Sequence, residues 1–260
     1  MGVYLGVDLG AANTKAVIID ASCFITGRAI VPTGMDFFRA GREVLRLAFL
    51  DAGIKPADIA AAVATGYGRK NLDFAASAKT EISCHARGAF HYFPETITVV
   101  DIGGQDSKII KIGPDGRWFD FKMNRKCAAG TGAFLEEIAG RIGVRLSDLE
   151  GLARQSSTEV ALSSFCTVFC SSEILGMIRR GIKVPDIVKA VMGSVVARLT
   201  EMDVLSGKVV ATGGVVAHYP MVVELLAAAT GNPVLIAPEP QLAGALGAAL
   251  FALEETGNDS

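Results

Sequence analysis

The chain has no surplus of charge of either sign. Its 25 basic and 27 acidic residues leave a formal net charge of −2 over 260 residues. That balance argues against a nucleic-acid binder or a membrane-surface binder held by electrostatics. Aromatics are scarce, at 7%. No apolar run approaches the roughly 18 residues a membrane-spanning helix requires. Met1-Gly2-Val3-Tyr4 runs straight into a strand-like segment, so no signal peptide is expected. The five cysteines (Cys23, Cys84, Cys127, Cys166 and Cys170) are odd in number and contain no C-x-x-C pair. A chain of this length needs no disulfide staples, so a reducing cytoplasm is the expected compartment, with thiols that stay free or bind metal. The familiar phosphate motifs G-x-x-x-x-G-K-[ST] and strand-borne G-x-G-x-x-G are both missing. Long linkers and low-complexity stretches are missing too.

What is present points to a folded α/β protein. Half of the residues are hydrophobic, which excludes disorder and permits a substantial core. There are 29 glycines, which with few aromatics implies tight turns and close backbone approaches. At this length the expectation is one large domain or two compact lobes.

The chain repeats itself. Val7-Asp8-Leu9-Gly10-Ala11-Ala12-Asn13-Thr14-Lys15 recurs as Val100-Asp101-Ile102-Gly103-Gly104-Gln105-Asp106-Ser107-Lys108, at a constant offset of 93 and without gaps. Each copy reads apolar strand, glycine- and hydroxyl-containing turn, apolar strand, which predicts a β-hairpin. Such a turn gathers backbone N–H groups and a hydroxyl at one point and suits a phosphate. The Asp at the end of each first strand suits a Mg²⁺-bound water beside phosphate oxygens. D-x-G turns also occur as plain hairpin turns, but an aligned pair favours a duplicated lobe.

Between and after the copies, helical spacing is evident from Phe37 to Leu50, a short turn or helix begins at Pro56, and residues 60–65 read as a strand. Residues 208–212 form another strand, ending in Gly213-Gly214, where a flat ring could approach the backbone. Gln241 precedes a small-residue helix over 242–250, built for tight packing or for ligand approach. Residues 254–260 read as a fraying tail. His218 belongs to a turn. No Ser or His forms a nucleophile–base constellation.

Five motifs carry a closer likeness: Val63-Ala64-Thr65-Gly66-Tyr67-Gly68-Arg69, Glu81-Ile82-Ser83-Cys84-His85-Ala86, Asp101-Ile102-Gly103-Gly104-Gln105-Asp106, Lys126-Cys127-Ala128-Ala129-Gly130-Thr131-Gly132 and Ser164-Phe165-Cys166-Thr167-Val168-Phe169. With the two D-x-G turns they resemble the activators of 2-hydroxyacyl-CoA dehydratases. The wider family includes ATPase subunits of benzoyl-CoA reductase and activators of double-cubane-cluster reductases. The resemblance covers nearly the whole chain. It implies two RNase-H-like lobes of the actin/Hsp70/sugar-kinase superfamily with a nucleotide cleft between them. The first lobe is expected over residues 1–95, joined by a C-terminal helix over 243–255, and the second over 96–242.

It further implies a homodimer with one [4Fe-4S] cluster at its interface and ATP/ADP with Mg²⁺ in each chain. ATP hydrolysis would drive an electron from the cluster to a partner enzyme, with ferredoxin or flavodoxin as donor. The partner is a 2-hydroxyacyl-CoA dehydratase or a benzoyl-CoA-type or double-cubane-cluster reductase. Carried onto this sequence, the cluster ligands fall on Cys127 and Cys166. The phosphate loops fall on Ala12, Asn13, Thr14 and Lys15 and on Gly103, Gly104 and Gln105. The nucleoside side falls on Gly213, Gly214 and Gln241. Asp8, Asp101 and Gln105 are the candidate catalytic groups, because phosphoryl transfer needs positioning and charge stabilisation. A [4Fe-4S] cluster wants four thiolates, and two per subunit supply four across a two-fold axis.

Cys127 and Cys166 each precede an expected helix, with apolar faces at Phe134, Leu135, Ile138 and Ile142 and at Ile174, Leu175 and Ile178. Helix N-termini favour thiolate and sulfide. Cys170 departs from the family pattern and stays open between packing, a spare thiol and a third ligand. Cys23, Cys84 and the adjacent His85 read as structural. The competing readings are a small-molecule kinase of the same fold without a cluster and a non-catalytic nucleotide-dependent switch.

Overall fold

The computed structural model describes residues 2–71, 75, 77–163 and 166–257. In chain order it contains β1 (Val3–Leu9), β2 (Asn13–Ile19), β3 (Ile25–Pro32), α1 (Phe37–Ala52), β4 (Ile59–Thr65), β5 (Ser77–Ala78), α2 (Glu81–Tyr92), β6 (Ile97–Ile102), β7 (Ser107–Ile112) and β8 (Trp118–Asn124). There follow α3 (Gly132–Ile142), α4 (Leu149–Arg154), α5 (Thr167–Arg179), α6 (Val184–Met202), β9 (Lys208–Thr212), α7 (Gly214–His218), α8 (Pro220–Thr230), β10 (Val234–Ile236) and α9 (Ala243–Gly257). Among the described residues no helix is long and apolar enough to cross a membrane.

Two five-stranded sheets share one topology. The first runs β3-β2-β1-β4-β5 and the second, read in the matching direction, β8-β7-β6-β9-β10. In the first, β1 pairs antiparallel with β2, setting Asp8 opposite Lys15, and parallel with β4. The edge pairs β4–β5 and β9–β10 are parallel in both. The duplication read from nine residues of sequence therefore extends to the strand order of a whole sheet.

The chain divides into two compact units: residues 1–97, 110–120 and 237–260, and residues 98–109 and 121–236. In the first unit both faces of the sheet are covered. Ala16 and Ile18 of β2 join α1 residues Val44 and Ala48 in one core, while Val17 and Ile19 join Leu246, Ala249 and Leu250 of α9 in another. Two covered faces explain why β2 ends in an unbroken apolar run, because neither side-chain direction meets water. In the second unit one core joins Val100, Ile102 and Ile109 to Phe134 and Ile138 of α3 and to Met192, Val195 and Leu199 of α6.

Two local expectations change. Ile174 of α5 is buried, but Leu175 and Ile178 are 62% and 46% exposed. The buried stripe of α5 is Cys170, Ile174 and Met177, a strict helical repeat. Leu175 and Ile178 fall outside it, along with exposed Val168 and Phe169. The expected tail is helical through Gly257, tied by Arg87–Glu254 and Lys79–Glu255 ion pairs. Residues 258–260 lie outside the described ones.

Candidate functional site

In the first unit Asp8 ends its strand almost fully buried, and Lys15 reaches across the hairpin to it, Nζ to Oδ2 at 3.0 Å. A buried carboxylate needs such a partner, because an uncompensated charge there is strongly destabilising. Gly10 has no room for a side chain: a Cβ would sit 2.8 Å from the Asn13 carbonyl oxygen. The Thr14 hydroxyl is buried and bonded to the Thr33 hydroxyl at 2.9 Å, and Thr33 in turn donates to the Gly10 carbonyl at 2.7 Å. Ala12 is exposed at the turn tip, and its carbonyl accepts from the Thr33 N–H at 3.0 Å.

The second unit repeats the geometry. Lys108 Nζ lies 3.3 Å from Asp101 Oδ2 and 2.7 Å from Asp106 Oδ1. A Cβ on Gly103 would sit 2.8 Å from the Asp106 carbonyl oxygen, the same clearance as at Gly10. Gln105 is exposed at the tip.

The second turn has a further set of bonds. The Gly132 and Ala133 N–H groups at the start of α3 donate to the Gly103 and Gly104 carbonyls at 2.9 and 2.7 Å. Ser107 Oγ donates to the Gly130 carbonyl. Asn124 Nδ2 donates to the Cys127 and Ala129 carbonyls at 3.1 and 2.6 Å. The segment from Cys127 to Ala133 is thus laced to the turn at Gly103-Gly104. Backbone N–H groups that a helix start leaves without intrahelical partners find them here in the turn's carbonyls.

Sequence reasoning missed a second duplication. Val63-Ala64-Thr65-Gly66 and Val210-Ala211-Thr212-Gly213 are identical tetrapeptides that end β4 and β9. Gly66 and Gly213 both have positive φ, at 92° and 101°, and press against the ends of β1 and β6 near Leu9 and Ile102. A side chain would be strained in that backbone region and would also collide with the neighbouring strand. Thr212 donates to Asp101 Oδ1 at 2.9 Å, whereas the Thr65 hydroxyl donates to the Lys79 carbonyl at 3.1 Å. The repeated V-A-T-G string was the signal. Asn124 gives no sequence signal, because an isolated Asn is also an ordinary turn residue.

Gly213 and Gly214 open α7 in the second unit, and Gln241 lies in a 3-10 turn (Pro240–Leu242) of the first. His218 ends α7 and is exposed. Cys127 and Cys166 are both exposed in the second unit, and Cys166 immediately precedes α5. The helices that follow them, α3 and α5, pack against each other. Ser164 and Phe165, part of the motif around Cys166, lie outside the described residues. Cys170 is buried, and burial pushes its thiol up to about 11. Cys84 is buried and pushed up to about 12, again chiefly by burial. Among the described residues no group of three or more His, Cys, Asp or Glu side chains clusters as a complete metal site.

Comparison with known proteins fits this arrangement. The chain is 41% identical to the activator of lactoyl-CoA dehydratase from Anaerotignum propionicum, over 96% of this chain and 97% of that protein. The crystal structure of (R)-2-hydroxyglutaryl-CoA dehydratase component A from Acidaminococcus fermentans superposes with a TM-score of 0.94 at 36% identity, covering 99% of this chain and all of that one. The activator of 2-hydroxyisocaproyl-CoA dehydratase from Clostridium difficile, solved with bound ADPNP, gives 0.91 at 38% identity, covering 99% of this chain and 96% of that one. A glucokinase of the ROK family from Streptomyces griseus shares the fold alone, at 16% identity, a TM-score of 0.58 and coverage of 97% of this chain and all of that one. The α/β fold of the actin and sugar-kinase superfamily that the resemblance implied is therefore the fold. A family model described as BadF/BadG/BcrA/BcrD ATPase matches residues 5–252, and the chain belongs to that ATPase family.

Proposed function

We propose that the chain is an ATP-hydrolysing activator that delivers electrons at very low potential to a 2-hydroxyacyl-CoA dehydratase or a related benzoyl-CoA-type or double-cubane-cluster reductase. It works as a homodimer with one [4Fe-4S] cluster held by Cys127 and Cys166 of each chain. The observation that carries this reading is the hydrogen-bonded lacing of Gly130–Ala133 to the turn at Gly103-Gly104 and Ser107. A group that binds at that turn pulls on a backbone segment that begins, three residues earlier, at Cys127.

The donor set fits half a cluster. Two exposed thiols, each ahead of a helix, supply two thiolates per chain, and a two-fold axis makes four. Cys170 is kept out by its position, because its side chain is buried in the core with Ile174 and Met177. When bound, the cluster supplies a one-electron relay between a ferredoxin or flavodoxin and the partner enzyme. The chain's own residues do the rest. The turn residues Ala12–Lys15 and Gly103–Gln105 would cradle the phosphates, and Asp8 and Asp101 would hold waters of Mg²⁺. Gln105 would orient the attacking water, and Gly213, Gly214 and Gln241 would contact the nucleoside.

Anaerobic purification with iron analysis, a visible spectrum and oligomer sizing tests the reading. About four irons per two chains are expected. Cys127→Ser and Cys166→Ser should each lose the iron and the ATP-dependent reduction of the partner. Either variant keeping full iron and activity would sink the cluster assignment. A colourless monomer that phosphorylates a metabolite would establish the kinase reading instead.

A further inference from the structure

His85 is 7% exposed, on a stretch of α2 that otherwise carries small residues, Cys84, Ala86, Gly88 and Ala89. Here α2 touches α9 backbone to backbone. A Cβ on Gly88 would overlap the Ala243 carbonyl, and one on Gly247 would overlap the Cys84 carbonyl. His85 lies between these two points of contact, so its height above the sheet is set by main-chain atoms rather than by flexible side chains. Its ring edge meets α9 at Gly244. A Cβ there would stand 2.9 Å from His85 Nε2 and 3.3 Å from Asp8 Oδ2. The imidazole nitrogen and the carboxylate oxygen converge on one point, and the missing side chain of Gly244 keeps that point open.

The two halves of the repeat differ here. In the second unit the Thr212 hydroxyl orients Asp101 through Oδ1. Its counterpart Thr65 is turned to the Lys79 carbonyl. Asp8 instead has Lys15 at Oδ2 and the backbone of Gly66 close beside Oδ1, where a Cβ would lie 2.6 Å away. From the helical layer, the polar side chain that shares the open point at Gly244 with Asp8 Oδ2 is His85.

We propose that His85 is a positioning residue: its Nε2 edge fixes the orientation of the Asp8 carboxylate, the task that Thr212 performs for Asp101. The proposal rests on the reading of Asp8 as part of the ATP-hydrolysing machinery. A group that orients a functional side chain without touching substrate acts on turnover more than on affinity. Its loss costs roughly 10- to 100-fold when it acts through a side chain that itself holds the metal or the reacting group.

The test uses the full-length protein, purified anaerobically, with steady-state ATPase, thermal unfolding and iron content measured on each sample. His85→Ala should lower kcat roughly 10- to 100-fold, with KM for ATP moved less than about twofold. His85→Gln, whose amide nitrogen reaches the Nε2 position, should recover most of the loss. His85→Asn, whose amide ends one bond short, should not. Gly244→Ala pushes on the imidazole and should behave like His85→Ala. A His85→Ala protein with wild-type kcat overturns the proposal. So do Gln and Asn variants that lose activity equally and only in step with their melting temperatures. Wild-type protein that hydrolyses no ATP overturns the functional reading itself, and the inference with it.

Discussion

Burial sorts the five thiols more sharply than their number does. Cys84 and Cys170 are held as protonated thiols by desolvation, at about 12 and about 11, while Cys127 and Cys166 are exposed. At neutral pH a raised pKa means almost no thiolate, and the thiolate is the reactive form. Iodoacetamide added to the folded, metal-free protein should therefore label Cys127 and Cys166 and leave Cys84 and Cys170 unlabelled until denaturant is added, read by peptide mass spectrometry. Labelling of Cys170 as fast as Cys166 would return it to the list of candidate ligands. Sequence alone left Cys170 open, because proton affinity depends on how many atoms surround the sulfur. The flanking motifs single out Cys127 and Cys166, and their exposure came only with the fold.

Glycine shows at the scale of elements how context sets the sign of a substitution. Within a helix, Ala is favoured over Gly by about 1 kcal/mol. At Gly140 of α3 nothing lies within 4 Å of the added methyl, so Gly140→Ala should stabilise the protein by up to about 1 kcal/mol. At Gly247 of α9 the same methyl overlaps the Cys84 backbone, which cannot step aside as a side chain would. Gly247→Ala should destabilise by about 1–3 kcal/mol or more. Chemical denaturation of both variants checks the pair, and equal shifts of one sign would refute the packing described for α9. The sequence left the small-residue run of α9 open between tight packing and ligand approach. In the structure much of the run is packing: Gly6 lies under the carbonyl of Ala245, and Gly88 and Gly247 bring α2 and α9 together. The face of α5 was misread because Ile174, Leu175 and Ile178 fit a helical period as well as Cys170, Ile174 and Met177 do. Only the position of the neighbouring core chooses between two such stripes.

At the scale of the whole molecule the chain is a sheet topology used twice, with a family of ATPases as its relatives. The two copies have diverged where they bond onward. The first hairpin closes on Thr33 through Thr14, and the second reaches Gly130 through Ser107. If the second set of bonds links nucleotide to cluster, Ser107→Ala should leave ATP hydrolysis nearly intact. It should also lower ATP-dependent reduction of the partner enzyme by about tenfold, within the usual range of coupling energies. Parallel loss of hydrolysis and reduction would make Ser107 a structural pin and nothing more. The hairpins and the two-fold repeat were determined by the sequence itself, because strand register and turn chemistry are local and leave a periodic record. Which hydroxyl bonds which carbonyl, which cysteine is buried and what stands beside Asp8 were decided only by tertiary structure. Those contacts join residues far apart in the chain, such as Asp8, His85 and Gly244, and no period in the sequence encodes the distance between them.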